Sequence, residues 1–390
     1  MRNFEYHCPT KLVFGENCIA KLTRFLPQGN PKLMLVFGKG SARTNGVYDQ
    51  VTEVLAGADY IEFWGIEPNP TVETIRKAIA LGKENQVDFV IAVGGGSVID
   101  ATKLIVAGLC SNVDAWEIVL SRKAIETCPF GVVLTVPATG SEMNSGAVIT
   151  RAETKEKYAF TSSHPKFALL DPCVAYTLSK HQIACGLADT FVHVIEQYLA
   201  GYEESRVMDR FAEGVMRTVV EISAPLMQRH SDYDLMSNYM ISSTVALNGM
   251  IAWGTTQDWA THMIGHELTA LTGITHGASL VILLPALMRA MKEQKRQKLL
   301  QYAKRVWDLS EANEDRCIEQ AIECTESFFR SLGLATRLDE AGIGPMVEEE
   351  TIRRIRDRGV AYGEGRNVDA DMCKRIFDLC RPAISHSQAE

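Results

Sequence analysis

The sequence lacks the features that mark membrane proteins, nucleic-acid-binding proteins and small metal or redox modules. It contains no run of about 18 apolar residues, so no membrane-spanning helix is predicted. Its net charge of −8 at pH 7 is not the basic excess of a nucleic-acid-binding surface. None of its ten cysteines forms a Cys-x-x-Cys pair, which disfavours a zinc ribbon or a thioredoxin-like site. We therefore expect neither a membrane nor a nucleic acid among its partners.

The chain also begins without the apolar core of a secretion signal, because its first 15 residues carry charges and a proline. Scattered cysteines without a leader are typical of a reducing compartment, where they act as small core residues. Together these observations predict a cytoplasmic protein.

What is present is the composition of a globular enzyme or binding protein. Of the 390 residues, 46% are hydrophobic and 23% are charged, which excludes a mainly disordered or fibrous chain. This length allows a large core and predicts two or three domains.

The first part of the chain alternates between apolar strand-like segments and amphipathic helices. The strand-like segments are 33–38, 59–64, 88–97, 130–142 and 167–172, and the predicted helices between them are 45–56, 71–85 and 97–109. This alternation predicts a parallel sheet with helices on both faces. We expect an α/β nucleotide-binding domain over residues 1–176.

The second part has helical periodicity and little strand signal. Predicted helices cover 183–200, 205–228, 233–251, 256–271, 276–292, 295–308, 313–332, 346–358 and 369–380. Glycines such as Gly201, Gly273 and Gly359 stand where these helices would end. We therefore predict an all-helical domain over residues 177–390.

A glycine-rich turn follows the strand-like segment FVIAV. Gly94, Gly95, Gly96 and Ser97 lie between this strand and the helix that follows it. A helix N-terminus offers unpaired amides and a positive dipole end, and glycines let the backbone approach a diphosphate. The turn differs from the usual G-x-G-x-x-G, because Ile99 stands at the third glycine. Taken alone, it is equally compatible with a tight turn that binds no ligand.

Two further loops after predicted strands favour a dinucleotide site. One is the turn Gly38, Lys39, Gly40 and Ser41, and the other is the hydroxyl-rich loop with Thr135, Thr139 and Ser141. Nucleotides bind at the carboxyl ends of the strands in parallel sheets, where such loops converge.

The second part of the chain concentrates metal-binding side chains in two short segments. Asp189 and His193 are four residues apart, and so are His262 and His266, so each pair shares one helix face. His276 follows after a glycine-containing turn. Imidazoles with one carboxylate suit Fe²⁺ or Zn²⁺, whereas Ca²⁺ and Mg²⁺ prefer oxygen ligands.

A metallopeptidase of the H-E-x-x-H type is disfavoured. The residues between His262 and His266 contain no glutamate, and Gly265 occupies the glutamate position of the inverted motif. A metallohydrolase of another kind and a non-catalytic metal-binding scaffold remain alternatives at this point.

With these motifs in view, nearly the full chain resembles the iron-containing (group III) alcohol dehydrogenase family. The most specific likeness lies in Gly94-Gly95-Gly96-Ser97-x-x-Asp100-x-x-Lys103 and in the spacing of the Asp189/His193, His262/His266 and His276 segments. The phrases GIEPNP, LTVPATGSE, DRFAEG and QDWATHMIGHELTA resemble the branch of NADPH-dependent aldehyde reductases and butanol dehydrogenases.

The resemblance implies a nucleotide domain, a helical domain, a cleft between them and a set of site residues. The implied metal ligands are Asp189, His193, His262 and His276, and the implied catalytic histidine is His266. The implied cofactor-binding residues are Gly94, Gly95, Gly96, Ser97, Asp100, Thr135, Thr139, Ser141 and Lys157. The turn Gly38, Lys39, Gly40 and Ser41 is added from its own chemistry, because it offers amides, a hydroxyl and an ammonium to the cofactor.

The resemblance further implies NADP(H) as the cofactor and small aliphatic aldehydes and primary alcohols as the substrates. Members that use NAD carry an aspartate at about the position of Gly38, where it would repel a 2′-phosphate. Its absence here favours NADP(H), and a surface turn that allows both cofactors remains the alternative. A homodimer is also expected, with Fe²⁺ or Zn²⁺ as the metal. A polyol dehydrogenase and a lyase similar to dehydroquinate synthase remain alternatives of the same fold.

Overall fold

The computed structural model describes residues 1–121, 126–202 and 204–381, which divide into two units. The sheet unit consists of Glu5–Gly186 and Pro225–Met250, and the helical unit consists of Met1–Phe4, Leu187–Ala224 and Ile251–Glu390. The domain limits 1–176 and 177–390 stay a prediction.

The sheet unit is built on a six-stranded parallel sheet. In chain order the strands of this unit are β1 (Lys11–Phe14), β2 (Leu33–Gly38), β3 (Tyr60–Ile66), β4 (Phe89–Gly94), β5 (Phe130–Leu134), β6 (Gly146–Arg151), β7 (Glu156–Thr161) and β8 (Phe167–Leu170). The sheet order is β1-β8-β5-β4-β2-β3, and every pairing in it is parallel. Because β2 and β4 are neighbours, the turns that follow them emerge at the same edge of the sheet.

The central strands are continuous apolar runs because both faces of the sheet are covered. Every residue of β4 is buried, as are the first five residues of β2. The covering α-helices are α1 (Ser41–Thr44), α2 (Val47–Val54), α3 (Val72–Glu84), α4 (Gly96–Leu109) and α5 (Ala115–Ser121). Short 3₁₀ helices at Cys18–Phe25, Ser141–Met143 and Pro172–Thr177 complete this part of the chain.

Strands β6 and β7 form a separate antiparallel hairpin that the sequence patterns do not predict. Their sequences, GAVITR and EKYAFT, mix charged and apolar residues over only six positions each. Such short, partly exposed strands give a weak alternation signal, so the hairpin is visible only in the structure.

The remaining α-helices follow β8 along the chain. They are α6 (Lys180–Tyr198), α7 (Arg206–Gln228), α8 (Tyr233–Leu247), α9 (Ala260–Thr272), α10 (His276–Ala290), α11 (Lys292–Val306), α12 (Glu314–Ser331), α13 (Pro345–Arg358) and α14 (Ala370–Leu379). Helix α8 lies in the sheet unit, α6 and α7 have residues in both units, and the others lie in the helical unit. A core of apolar side chains from α9, α10, α13 and α14 stabilises the helical unit.

The predicted fold class is confirmed. Among the described residues after Thr177, regular structure is helical apart from one isolated bridge between Tyr362 and Val368. In the same described part of the chain, no helix combines the length and the apolar character needed to cross a membrane.

Candidate nucleotide site and metal centre

The glycine-rich turn of the sheet unit connects the end of β4 to the start of α4. Gly95 is the residue before the helix, and no side chain caps the N-terminus of α4. The amides of that N-terminus and its dipole are therefore arranged as an anion-binding helix end requires.

These glycines are required for close packing and not for unusual dihedral angles, because none of the three has a left-handed φ. A Cβ on Gly95 would lie 2.7 Å from Val136 Cβ, and a Cβ on Gly96 would lie 2.5 Å from Thr139 Oγ1. The structure thus brings the glycine turn and the hydroxyl-rich loop together, as the sequence predicts for a shared ligand site.

The turn after β2 reaches the same edge of the sheet. Gly40 has a φ of 138°, a backbone conformation that would be strained for a residue with a side chain. It directly precedes the short helix α1. Gly38 has no left-handed φ, and a Cβ there would contact Val98 of α4 at 3.8 Å. Lys39 and Ser41 are exposed.

Arg43 is a residue beside this turn that the sequence analysis does not single out. Its guanidinium lies 4.2 Å from the centroid of the Trp64 ring, which in turn stacks on Phe37 at 4.1 Å. The signal that indicates it is simple: Arg43 is the next cation after Lys39 in the same turn and helix.

The hydroxyl-rich loop is held against α4 by two charged side chains of that helix, Lys103 and Asp100. Lys103 is fully buried, and its ammonium donates to Ser141 Oγ and Ser141 O at 2.8 Å, Asn144 Oδ1 at 3.0 Å and Gly146 O at 2.6 Å. Burial lowers the pKa of Lys103 to about 8, although Asp100 and Glu142 oppose the shift. Lys103 therefore positions this loop from inside the unit.

Asp100 contacts the same loop with both carboxylate oxygens. Oδ1 accepts a hydrogen bond from Ser141 Oγ at 2.7 Å, and Oδ2 accepts one from the Val148 amide at 2.9 Å. Burial raises the pKa of this carboxyl, while Lys103 and these hydrogen bonds lower it. Because both oxygens are engaged within the protein, Asp100 acts on the loop here, and its contact with a cofactor stays a prediction.

Lys157 lies on β7 and is buried. Its ammonium donates to Asn69 Oδ1 at 2.9 Å, and Asn69 has a left-handed φ of 57° in the turn before α3. Thr135, at the end of β5, is tied to the glycine turn by a hydrogen bond from its amide to Gly94 O at 3.0 Å.

In the helical unit, side chains from three helices converge on one carboxylate oxygen of Asp189. His193 Nδ1 lies 3.6 Å from Asp189 Oδ1, and His262 Nε2 and His276 Nε2 each lie 3.8 Å from it. Asp189 and His193 come from one face of α6, as their spacing predicts, and His262 comes from α9. Helix α9 ends at Gly273, with a φ of 74°, and the chain turns back to start α10 at His276.

The positions of these atoms suit joint binding of a divalent cation better than direct hydrogen bonds among themselves. Asp189 Oδ1, His193 Nδ1 and His262 Nε2 are buried and accept or donate no hydrogen bond. Two ligands about 2.1 Å from a tetrahedral ion lie roughly 3.4 Å apart, close to the observed separations. Asp189, His262 and His276 each offer an atom within 4.8 Å of the others. His193 is not part of this group of three within 4.8 Å, but its Nδ1 lies 3.6 Å from the same Asp189 oxygen.

His266 lies one turn beyond His262 on α9. Its ring centroid is 6.3 Å from that of His262 and 5.4 Å from that of His276, and the side chain is buried. It thus lies beside the cluster, as the resemblance implies for a residue near the substrate.

The surroundings of His193 and His262 shift the pKa values of these two histidines in opposite directions. Burial lowers the pKa of His193 to about 4, with Asp189 opposing and His262 reinforcing the shift. Burial also lowers the pKa of His262, but Glu196 and Asp189 outweigh burial and raise it to about 9. His193 is therefore neutral at pH 7, which is the form that binds a metal.

Glu196 is a buried residue of this cluster that the sequence analysis misses. Its Oε1 accepts a hydrogen bond from the Thr261 amide at 2.6 Å, and its Oε2 contacts His262 Nδ1. The signal was available, since Glu196 follows Asp189 by seven residues and therefore shares its helix face.

Comparison with known proteins agrees with this arrangement of motifs. Residues 9–172 match the family described as iron-containing alcohol dehydrogenase, and residues 183–383 match the C-terminal region of the Fe-containing alcohol dehydrogenase family. The NADPH-dependent aldehyde reductase YqhD of Escherichia coli (strain K12) is 43% identical over 388 residues, covering 98% of this chain and 100% of that protein. The probable NADH-dependent butanol dehydrogenase 1 of Bacillus subtilis (strain 168) is 41% identical, covering 93% and 95%.

Solved structures agree as well. The crystal structure of E. coli K-12 YqhD superposes with a TM-score of 0.95 at 43% identity, covering 97% of this chain and 99% of that one. The structure of NADH-dependent butanol dehydrogenase A from Thermotoga maritima gives a TM-score of 0.93 at 33% identity, covering 98% and 99%. The resemblance noted from the sequence is confirmed, and the chain belongs to the iron-containing alcohol dehydrogenase family.

Proposed function

We propose that this protein catalyses reversible hydride transfer between NADP(H) and a small aliphatic aldehyde/primary alcohol pair, with a divalent metal in the helical unit. In the reductive direction NADPH gives a hydride to the carbonyl carbon, one proton is taken up, and NADP⁺ and an alcohol leave. The observation that carries the proposal is the convergence of buried, hydrogen-bond-free atoms of Asp189, His193 and His262.

In this proposal Asp189, His193, His262 and His276 hold Fe²⁺ or Zn²⁺. Three imidazoles and one carboxylate form a donor set that suits either ion. When bound, such an ion supplies Lewis-acid polarisation of a carbonyl oxygen. The protein contributes a buried site in which the pKa of His193, at about 4, keeps that ligand unprotonated at neutral pH.

His266 is proposed as the residue that moves the proton to or from the substrate oxygen. Support comes from its place beside the cluster, with its ring centroid 5.4 Å from that of His276. An imidazole can exchange a proton near neutral pH, which suits it to this role.

The cofactor is proposed to bind along the edge where β2 and β4 end. The N-terminus of α4 would hold the diphosphate, while Thr139 contributes a hydroxyl and Lys157 an ammonium. The hydroxyl of Ser141 is engaged by Lys103 and Asp100, so Ser141 would position the loop. The nicotinamide ring supplies the hydride chemistry.

A preference for NADP(H) rests on this chain's own residues, because the similar proteins include NADPH- and NADH-dependent enzymes by name. Gly38 leaves no carboxylate to repel a 2′-phosphate, and Lys39 and Arg43 place two cations in the same turn. A phosphate there would meet these two cations, while the nearby Glu62 carboxylate is hydrogen-bonded to Tyr48 and Trp64.

A homodimer, a cytoplasmic location and the domain limits 1–176 and 177–390 complete the proposal. Strand β1 is an edge of the sheet and exposes Leu12 and Phe14, which favours covering by a second copy. All ten cysteines are free, as is typical of a reducing compartment. The two family matches, 9–172 and 183–383, support a division close to residue 176.

The proposed reaction is tested by metal analysis combined with a cofactor assay. Purified protein is assayed for bound iron and zinc, and then for NADPH and NADH oxidation with aliphatic aldehydes of increasing chain length. We expect one metal ion per chain and aldehyde-dependent oxidation of NADPH. Metal-free protein with full turnover would contradict the proposal.

A further inference from the structure

Glu196 makes three contacts with the start of helix α9. Its side chain is only 3% exposed, and its two carboxylate oxygens contact the Thr261 amide and His262 Nδ1. Its backbone carbonyl also accepts a hydrogen bond from the Asp258 amide at 3.3 Å. One residue of α6 thus fixes the turn that carries a proposed metal ligand.

We infer that Glu196 is a positioning residue that presents His262 to the metal in the required tautomer. The inference rests on the proposed function, because it takes His262 as a ligand. His262 binds a metal only after losing one proton, and because a carboxylate only accepts hydrogen bonds, the proton that the imidazole keeps must lie on Nδ1. Nε2, which lies 3.8 Å from Asp189 Oδ1, is then left with its lone pair available.

The same carboxylate also fixes the orientation of the imidazole through the backbone. Helix α9 follows Trp259, which has a left-handed φ of 68°, and no side chain of that residue caps the helix. Glu196 Oε1 accepts from Thr261 N, one of the amides at the helix start that lack an intrahelical partner. The carboxylate therefore links α6, which carries Asp189 and His193, to the first turn of α9.

A purely structural role would require only the contact with the Thr261 amide. The substitution Glu196→Gln cannot keep both contacts, because an amide of the same shape has only one acceptor oxygen. If that oxygen faces Thr261 N, the NH₂ group faces His262 Nδ1 and favours the wrong tautomer. If the amide is reversed, the contact with Thr261 is lost instead.

The experiment measures the affinity of the full chain for Zn²⁺, and for Fe²⁺ without oxygen, by competition with a chromophoric chelator. Glu326→Gln is the matched control, because Glu326 is also buried in the helical unit but pairs with Arg289 at 2.7 Å. We expect Glu196→Gln to bind Zn²⁺ about 10- to 100-fold more weakly than the wild type. Glu326→Gln should bind as the wild type does.

A second measurement needs no variant at position 196. Nitrogen NMR of the Zn²⁺-loaded wild type labelled at histidine, assigned with His262→Gln, should show His262 protonated on Nδ1 and metal-bound through Nε2. The opposite assignment would overturn the inference even if Glu196→Gln failed to fold.

The outcomes separate this inference from the proposed function. Wild-type protein that binds neither metal overturns the proposed function and the inference with it. Metal-binding wild type with an unchanged Glu196→Gln overturns only the role of Glu196. Equal losses in Glu196→Gln and Glu326→Gln would indicate general destabilisation and would also overturn it.

Discussion

The sheet unit and the helical unit build their candidate sites from different parts of the chain. At the ends of β2 and β4 the ligand-facing groups are mainly backbone, and glycines are present because neighbouring loops leave no room for a Cβ. In the helical unit the ligand-facing groups are side chains on helices, held four residues apart or at a helix start.

This difference indicates which substitutions each site tolerates. A backbone site is damaged by adding atoms, whereas a side-chain site is damaged by removing them. Each site also has a buried charged residue behind it: Lys103 holds the hydroxyl-rich loop, and Glu196 holds the first turn of α9. We therefore expect the two sites to fail independently and in these opposite ways.

The largest effect is expected from removing a side chain of the helical site. His276→Ala should lose bound metal and abolish metal-dependent turnover, because His276 contributes one of the converging nitrogens. NADPH binding should persist, since the glycine turn lies in the other unit. Metal analysis and fluorescence titration with NADPH check both statements, and a metal-free variant with wild-type activity would contradict the ligand assignment.

His266→Ala should retain its metal and lose rate. If His266 moves the proton, kcat should fall by about 100-fold, and the pH profile should change. Metal content is the control measurement, with His262→Ala as the comparison. A loss of metal equal to that of His262→Ala would mean that the two histidines have been assigned the wrong way round.

Adding one methyl group should damage the sheet site. In Gly96→Ala the new Cβ would lie 2.5 Å from Thr139 Oγ1, so the hydroxyl-rich loop must move. We expect the free energy of unfolding to fall by about 2 kcal/mol and NADPH binding to weaken roughly 30-fold, while metal binding stays unchanged. Gly214→Ala is the control, because a Cβ there meets nothing within 4 Å. Equal NADPH affinity in both variants would refute the packing argument.

Lys103 should make the stability of the sheet unit vary with pH in the alkaline range. Its pKa is about 8 in the folded protein and ordinarily 10.5, so between these values the unfolded chain binds more protons. The Lys103 contribution to the free energy of unfolding should therefore rise with pH across this window, by about 2 kcal/mol, and be constant below pH 8. Buried cysteines such as Cys18 and Cys128, whose pKa burial raises to about 12, oppose this rise, so the prediction concerns the difference between wild type and variant.

The test is urea unfolding of metal-free wild type, Lys103→Met and Lys77→Met at several pH values from 8 to 10.5. Lys77 is exposed on α3 and serves as the control. The free energy of unfolding of Lys103→Met should fall progressively below that of the wild type as the pH rises, whereas that of Lys77→Met should stay parallel to it. Parallel curves for all three proteins would contradict the prediction.

The smallest effect concerns the choice of cofactor. Gly38→Asp places a carboxylate where it repels a 2′-phosphate and can bond the ribose hydroxyls of NADH. The backbone accepts this change, because Gly38 has no left-handed φ and the nearest atom to a new Cβ would be Ile66 O at 3.6 Å. We expect the ratio of kcat/KM for NADPH over NADH to fall by about tenfold. An unchanged ratio would indicate that other residues recognise the 2′-phosphate.

Much of the fold was predictable because its signals are local. Continuous apolar segments predicted the buried strands β2 and β4, and helical periodicity predicted the region after Thr177. The hairpin of β6 and β7 was not predictable, because its short strands are mixed in polarity and are stabilised by pairing with each other. The sequence indicates Lys103 only as part of a motif, since nothing in its neighbours indicates that its ammonium meets four acceptors.

By itself, the sequence determined which residues share a helix face and which turns join a strand to a helix. The spacing of Asp189 and His193, and of His262 and His266, follows from the helical repeat alone. Only the tertiary structure decided that Asp189, His262 and His276 meet at one oxygen, and that Glu196 reaches an amide 65 residues away. The reason is physical: local periodicity sets the direction of a side chain within its own helix, whereas packing between helices decides which atoms it meets.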